Sequence, residues 1–174
     1  MTRLEDLFAA RTAVIVPDAI GPTAATELRE RFERLGYSRY ALLDRGSYEM
    51  LQDPAELEIY AAPIALATEA TERALELAEA RVLRLVPGDY LLAHHDRVHD
   101  ERHVELILDL SPAIVPNAAV HYRRNGDVTY QVPSRPCSLS IVARAPNVTC
   151  NHTYISKLHT GAHVIRLVLL LCNR

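Results

Sequence analysis

Apolar and polar positions follow two different periods along this chain, and the change falls near Arg81. Ala13–Val16 is a short β-branched run ended by Pro17, which predicts a strand. From Gly21 the period lengthens to that of a helix, with Leu28, Phe32 and Leu35 recurring on one face. Pro22 suits the first turn of that helix, and Gly36 supplies a left-handed stop. Tyr37–Leu43 reads as a second strand, closed by the turn-like Asp44-Arg45-Gly46-Ser47. Asp53-Pro54 is a helix start, and the Ala-, Glu- and Leu-rich stretch to Ala80 predicts two helices, or one kinked, divided at Pro63.

Beyond Arg81 the pattern is that of strands and turns. Arg81–Val86 and Tyr90–His94 flank a bend at Pro87-Gly88-Asp89, and Val104–Leu110 alternates around Glu105 and Asp109. Val120–Arg124 and Asp127–Val132 are joined by Asn125-Gly126, a strong hairpin signal. Leu139–Ala143 follows, and Val164–Cys172 is a long apolar run broken only by Arg166. The reading is α+β: a single domain over 1–174, with 1–80 a mainly helical support and 81–174 a β-sandwich or small barrel.

Composition removes several classes of function. The 174 residues are 49% hydrophobic and 24% charged, enough apolar material for a core without a stapling disulfide or metal. A net charge of -3 argues against a nucleic-acid partner. No apolar run approaches the ~20 residues of a membrane helix, and Glu5 and Asp6 interrupt any signal-peptide core, so no membrane is expected. Cys137, Cys150 and Cys172 are odd in number and never spaced Cys-x-x-Cys, which fits a reducing, cytoplasmic location.

All eight histidines lie between His94 and His163, so the chemistry is expected in the second half. In a strand, residues two apart face the same way, so His94 and Asp96 present an imidazole and a carboxylate side by side, with His95 turned away. Two His and one carboxylate form the facial set of iron(II) oxygenases, and His152, just before the last long strand, is the candidate third ligand. A His-x-Asp pair also serves commonly as nothing more than a surface hydrogen-bonding pair. Arg166, inside a run read as a fully buried strand, must meet an anion. That anion is either a protein carboxylate, Glu105 or Asp109, or the carboxylate of a ligand, which Arg grips in a bidentate fork.

At this point the chain resembles a family. Arg84-Leu-Val-Pro-Gly-Asp-Tyr-Leu-Leu-Ala-His94-His-Asp96 is similar to the first metal motif of the iron(II)/2-oxoglutarate-dependent dioxygenases, especially the prolyl-4-hydroxylase-like branch. Val132–Val142 resembles the strand and turn before the distal histidine, and His152–Gly161 with the strand bearing Arg166 resembles the closing segment. The segment 118–132 departs from that branch in lacking its paired glycines. The resemblance implies a double-stranded β-helix (jelly-roll, cupin-like) core behind N-terminal supporting helices. It implies that His94, Asp96 and His152 bind Fe(II), and that Arg166 pairs with the far carboxylate of 2-oxoglutarate. With O2 the co-substrate would go to succinate and CO2, and an unactivated C–H of a small molecule, amino acid or peptide would be hydroxylated. Asp96 favours hydroxylation over halogenation. The short chain leaves an open mouth that a second subunit of a homodimer could close.

Alternatives stand beside this reading. His159 competes with His152 as third ligand and His163 with Arg166 as anchor. A cupin-like dioxygenase or isomerase without 2-oxoglutarate would draw a three-His or mixed site from His94, His152, His159 and His163. A non-catalytic binding module would use these side chains only for ordinary hydrogen bonds. His99 and His103 are expected in a charged loop over the mouth, Tyr90 on the face of His94, and His121 half-buried in a strand. Arg97, Arg102, Arg123, Arg124, Arg135 and Arg144 are expected on a solvated surface, and Cys150 is expected as a small buried residue.

Overall fold

The computed structural model describes residues 3–55, 57–94 and 102–174. Among these residues are three helices, α1 (Leu4–Arg11), α2 (Pro22–Leu35) and α3 (Leu57–Thr71), and eleven strands. The strands are β1 (Ala13–Val16), β2 (Ser38–Leu42), β3 (Gly46–Gln52), β4 (Leu75–Leu85), β5 (Tyr90–His94) and β6 (Arg102–Asp109). They continue with β7 (Ala119–Arg124), β8 (Asp127–Pro133), β9 (Leu139–Ala143), β10 (Val148–His152) and β11 (Val164–Asn173). The order β1-β9-β6-β11-β4-β3-β5-β10-β7-β8, with β2 on β3, is antiparallel throughout. It forms a major sheet up to β3 and a minor sheet from β5, curled into a nearly closed double-stranded β-helix. Among the described residues no helix is long and apolar enough to cross a membrane.

The alternation within β11 explains its unbroken apolar run. Ile165, Leu167, Leu169 and Leu171 join the cluster beneath the helices, with Ala25, Leu28 and Phe32 of α2 and Ala67 and Ala70 of α3. Val164 and Val168 join a second cluster inside the barrel, with Leu83, Leu85, Leu91, Val120 and Tyr122. Both faces are covered, so both are apolar, and Arg166 falls on the inner one. Burying both faces of this strand stabilises the fold by about 25 cal/mol for each Å² of apolar surface removed from water.

Most elements lie where the sequence pattern predicts them. The Asn125-Gly126 turn takes φ +54° and +91°, the geometry a two-residue hairpin needs. Pro22 opens α2, although Leu35 is 54% exposed and does not reach the core. The stretch from Asp53 to Ala80 differs. A single helix with Pro63 inside it stops at Thr71, and Leu75–Ala80 is the first half of β4. Strand pairing with β11 along its whole length outweighs the helical propensity of Ala and Glu there. β3 was also hidden from the sequence, because its Gly46-Ser47 start reads as part of a turn.

Gly46 sits where β3 leaves β4 and pairs with Leu91 of β5, the seam between the two sheets. Its φ is +114°, and a Cβ built there would lie 2.3 Å from the carbonyl oxygen of Tyr90. Gly46→Ala is therefore expected to lower unfolding free energy by roughly 2 kcal/mol or more. Gly126→Ala, which meets open space, should cost only about 1 kcal/mol of backbone strain. Urea denaturation of both variants checks this, and equal losses would show that the seam is not tight.

Candidate metal and co-substrate site

His152 and Arg166 meet inside the barrel. Both are 1% exposed, and Arg166 Nη1 lies 2.9 Å from His152 Nδ1, joining β11 of the major sheet to β10 of the minor sheet. His94 ends β5, the neighbour of β10, where its backbone pairs with Cys150; Leu91 pairs with His152. Three residues of β5 thus span two of β10, and this bulge gives both Leu91 and His94 register positions opposite inward-facing residues. The same bulge moves Tyr90 off the register of His94. Tyr90 packs instead against Tyr154, with ring centroids 6.5 Å apart. Tyr90, Leu92, Arg123 and Tyr154 border a cleft of about 360 Å³. Asp96 lies outside the described residues, as do His95, Arg97 and His99.

The carboxylates that might have neutralised Arg166 are both occupied elsewhere. Asp109 is its cross-strand partner in β6 and is buried, but its Oδ1 accepts from the amide of Ser111 at 2.9 Å and its Oδ2 from the amide of Arg135 at 2.8 Å. Glu105, fully buried, accepts from the Tyr122 hydroxyl at 3.0 Å and from Arg144 Nη1. Arg166 Nε and Nη2 have no hydrogen-bond partner among the described residues. Burial pulls the affinity of the guanidinium for its proton below the usual value, and the charges of Asp109 and Tyr122 offset this in part. A buried guanidinium with two adjacent N–H groups unused is shaped for one more carboxylate.

Other predicted residues fall less centrally. His159 is half-buried in the turn after Ser156, and His163 is exposed just before β11. His103 lies within β6 rather than in a loop. His121 is half-buried, as expected of a strand residue, and its affinity for a proton is lowered by burial and by Arg123. Cys150 is buried. Among the described residues no three His, Cys, Asp or Glu side chains gather as a metal-binding group.

Sequence reasoning missed the second polar bridge inside the barrel. Tyr122 of the minor sheet reaches Glu105 of the major sheet, and Arg144, expected on the surface, is 6% exposed against that carboxylate. Burial and the charge of Glu105 hold the Tyr122 hydroxyl well above the usual phenol range, so it remains a donor. The available signal was the alternation of β6. Val104, Leu106 and Leu108 pack under the helices, so Glu105, Ile107 and Asp109 must line the interior.

Removing one member of this bridge strands the other in the interior. Glu105→Leu and Arg144→Met should each destabilise the fold by about 3–5 kcal/mol, and the double variant should recover most of the loss. Urea titration of the three variants measures this. Additive losses would mean that the ion pair is not the coupled unit.

No protein-family model matches the chain, and no curated protein matches it in sequence. Solved structures do match it in shape. A prolyl-4-hydroxylase from Pseudomonas putida aligns with TM-score 0.75 and 18% identity, over 98% of this chain and 97% of that one. An oxidoreductase of the 2OG-Fe(II) oxygenase family from Burkholderia pseudomallei aligns with TM-score 0.79 and 9% identity, over 98% and 90%. HygX from Streptomyces hygroscopicus, solved with nickel and 2-oxoglutarate, aligns with TM-score 0.73 and 13% identity, over 99% and 87%. From the strand order to the nearly full coverage on both sides, this chain has the double-stranded β-helix fold of the 2OG-Fe(II) oxygenases.

Proposed function

We propose that this protein is an iron(II)/2-oxoglutarate-dependent dioxygenase that hydroxylates an unactivated C–H of a small molecule, amino acid or peptide. The observation that carries the reading is Arg166: a buried guanidinium inside the barrel, with two N–H groups unused and no carboxylate bonded to it among the described residues. That fork fits the distal carboxylate of 2-oxoglutarate, while His94, Asp96 and His152 hold the metal. Fe(II) with a 2-oxo acid and O2 supplies an oxidant able to attack an aliphatic C–H. The chain's own residues fix where this happens. Arg166 anchors the far end of the co-substrate and so sets how deep its keto-acid end sits. The apolar inner cluster of Leu83, Leu85, Val120 and Val164 keeps bulk water from the reacting atoms. A carboxylate in the ligand set, from Asp96, leaves no coordination position for a halide, which favours hydroxylation. His152 is preferred to His159 and His163 because it alone of the three is buried in the barrel.

Anaerobic addition of Fe(II) and 2-oxoglutarate should give a weak visible charge-transfer band, lost in Asp96→Ala. Arg166→Ala should raise the 2-oxoglutarate concentration needed by about a hundredfold, the effect of losing a charge-assisted bidentate pair. If iron binds without the band, or if Arg166→Ala keeps full activity, a cupin-like metal enzyme independent of 2-oxoglutarate takes its place.

A further inference from the structure

On the side of the major sheet that faces away from the barrel interior, α2 and α3 leave a cleft of about 320 Å³ between them. Its floor is Leu108 of β6 and Leu139 of β9, which are register partners in the sheet. One wall is Ala24 and Leu28 of α2. The other is Ile59, Ala62, Pro63 and Leu66, one stripe of α3 at helical spacing. The cleft stays open because the side chains at Ala24 and Ala62 are too small to fill it. Its volume falls in the range of small-molecule sites, roughly 300–1,000 Å³, and is less than two turns of a helix about 10 Å across would occupy.

The polar groups at the cleft are mostly acceptors. Glu27 of α2 and Glu58 of α3 border it from opposite walls. Both are exposed, and neither is ion-paired among the described residues. Pro63 adds a third acceptor: it has no N–H, so the carbonyl of Ile59, one turn earlier on the same stripe, loses its helical donor. Arg31 is the one cation among the described lining residues, and it is already engaged in an interaction of its own. An apolar floor beneath acceptors that lack donors is complementary to an apolar molecule with a cationic donor at one end.

We infer that this cleft is a ligand site of its own, which takes a small amphipathic cation: an alkyl or aryl body between α2 and α3, with its ammonium group between Glu27 and Glu58. The site does not depend on the function proposed above, because it uses none of the residues inside the barrel.

Phenethylammonium is a suitable probe, and hydrocinnamate, similar in shape and opposite in charge, is its control. Methyl NMR of the intact protein labelled at isoleucine should show the Ile20 and Ile59 signals moving with a Kd on the order of 1 mM. Ile20→Val and Ile59→Val identify those signals, and Ile114, which is outside the lining, should not respond. Hydrocinnamate should bind at least about tenfold more weakly, and the double variant Glu27→Gln, Glu58→Gln should weaken phenethylammonium roughly fivefold. Ala62→Trp, at an exposed position of α3, should fill the cleft and abolish binding. Circular dichroism checks that each variant is folded, and the comparison of the two probes on the wild type needs no variant. If Ile20 and Ile59 do not respond to phenethylammonium, or respond equally to both probes, the inference is wrong. If Ala62→Trp instead dissociates a dimer in sedimentation velocity, the cleft is an interface between copies of this chain and the inference is equally wrong.

Discussion

A guanidinium buried in a protein must be compensated, and the interior of this barrel is arranged around one that is only partly so. Arg166 sits near the start of β11, on its inner face, with Val164 and Val168 on either side. The two nearby carboxylates are held to other tasks: Asp109 ties the loops 111 and 134–138 to the end of β6, and Glu105 closes an ion pair with Arg144. Among the described residues, what remains as hydrogen-bond partner for Arg166 is one imidazole nitrogen. Breaking a buried ion pair by removing one partner costs about 3–5 kcal/mol, which is the scale on which burial of such a charge matters to the fold.

The fold supports this by spanning the barrel twice with polar bridges. Arg166 to His152 and Tyr122 to Glu105 each join the major sheet to the minor one. Between and around them the wall is apolar, so the polar groups act in a medium of low effective dielectric, where each hydrogen bond counts for more than in water. The bulge in β5 serves the same end from the covalent side. It shifts the strand by one residue, so that His94 takes a register position across from Cys150, two residues from His152.

Much of this was legible in the sequence. The period-two runs, the Asn125-Gly126 turn and the Pro22–Gly36 helix were read from local chemistry alone, because turns and caps are set by the residues that make them. Arg166 stood out because a charge within an apolar run has few physical explanations. Leu75–Ala80 did not read as a strand, since its Ala and Glu content is helical and only the pairing with β11 makes it extended. Arg144 did not read as interior, since a single sequence assigns a lone polar position at a strand end to solvent, while a closing barrel turns some of them inward. The bulge that moves Tyr90 away from the register of His94 leaves no mark in composition at all.

The central claim is that Arg166 receives a co-substrate carboxylate. A crystal structure of the protein with nickel(II) and 2-oxoglutarate, grown without oxygen, tests it most directly. The account predicts the distal carboxylate in a two-pronged contact with Arg166 Nε and Nη2. A carboxylate bound instead at Arg123 or Arg144 would contradict it.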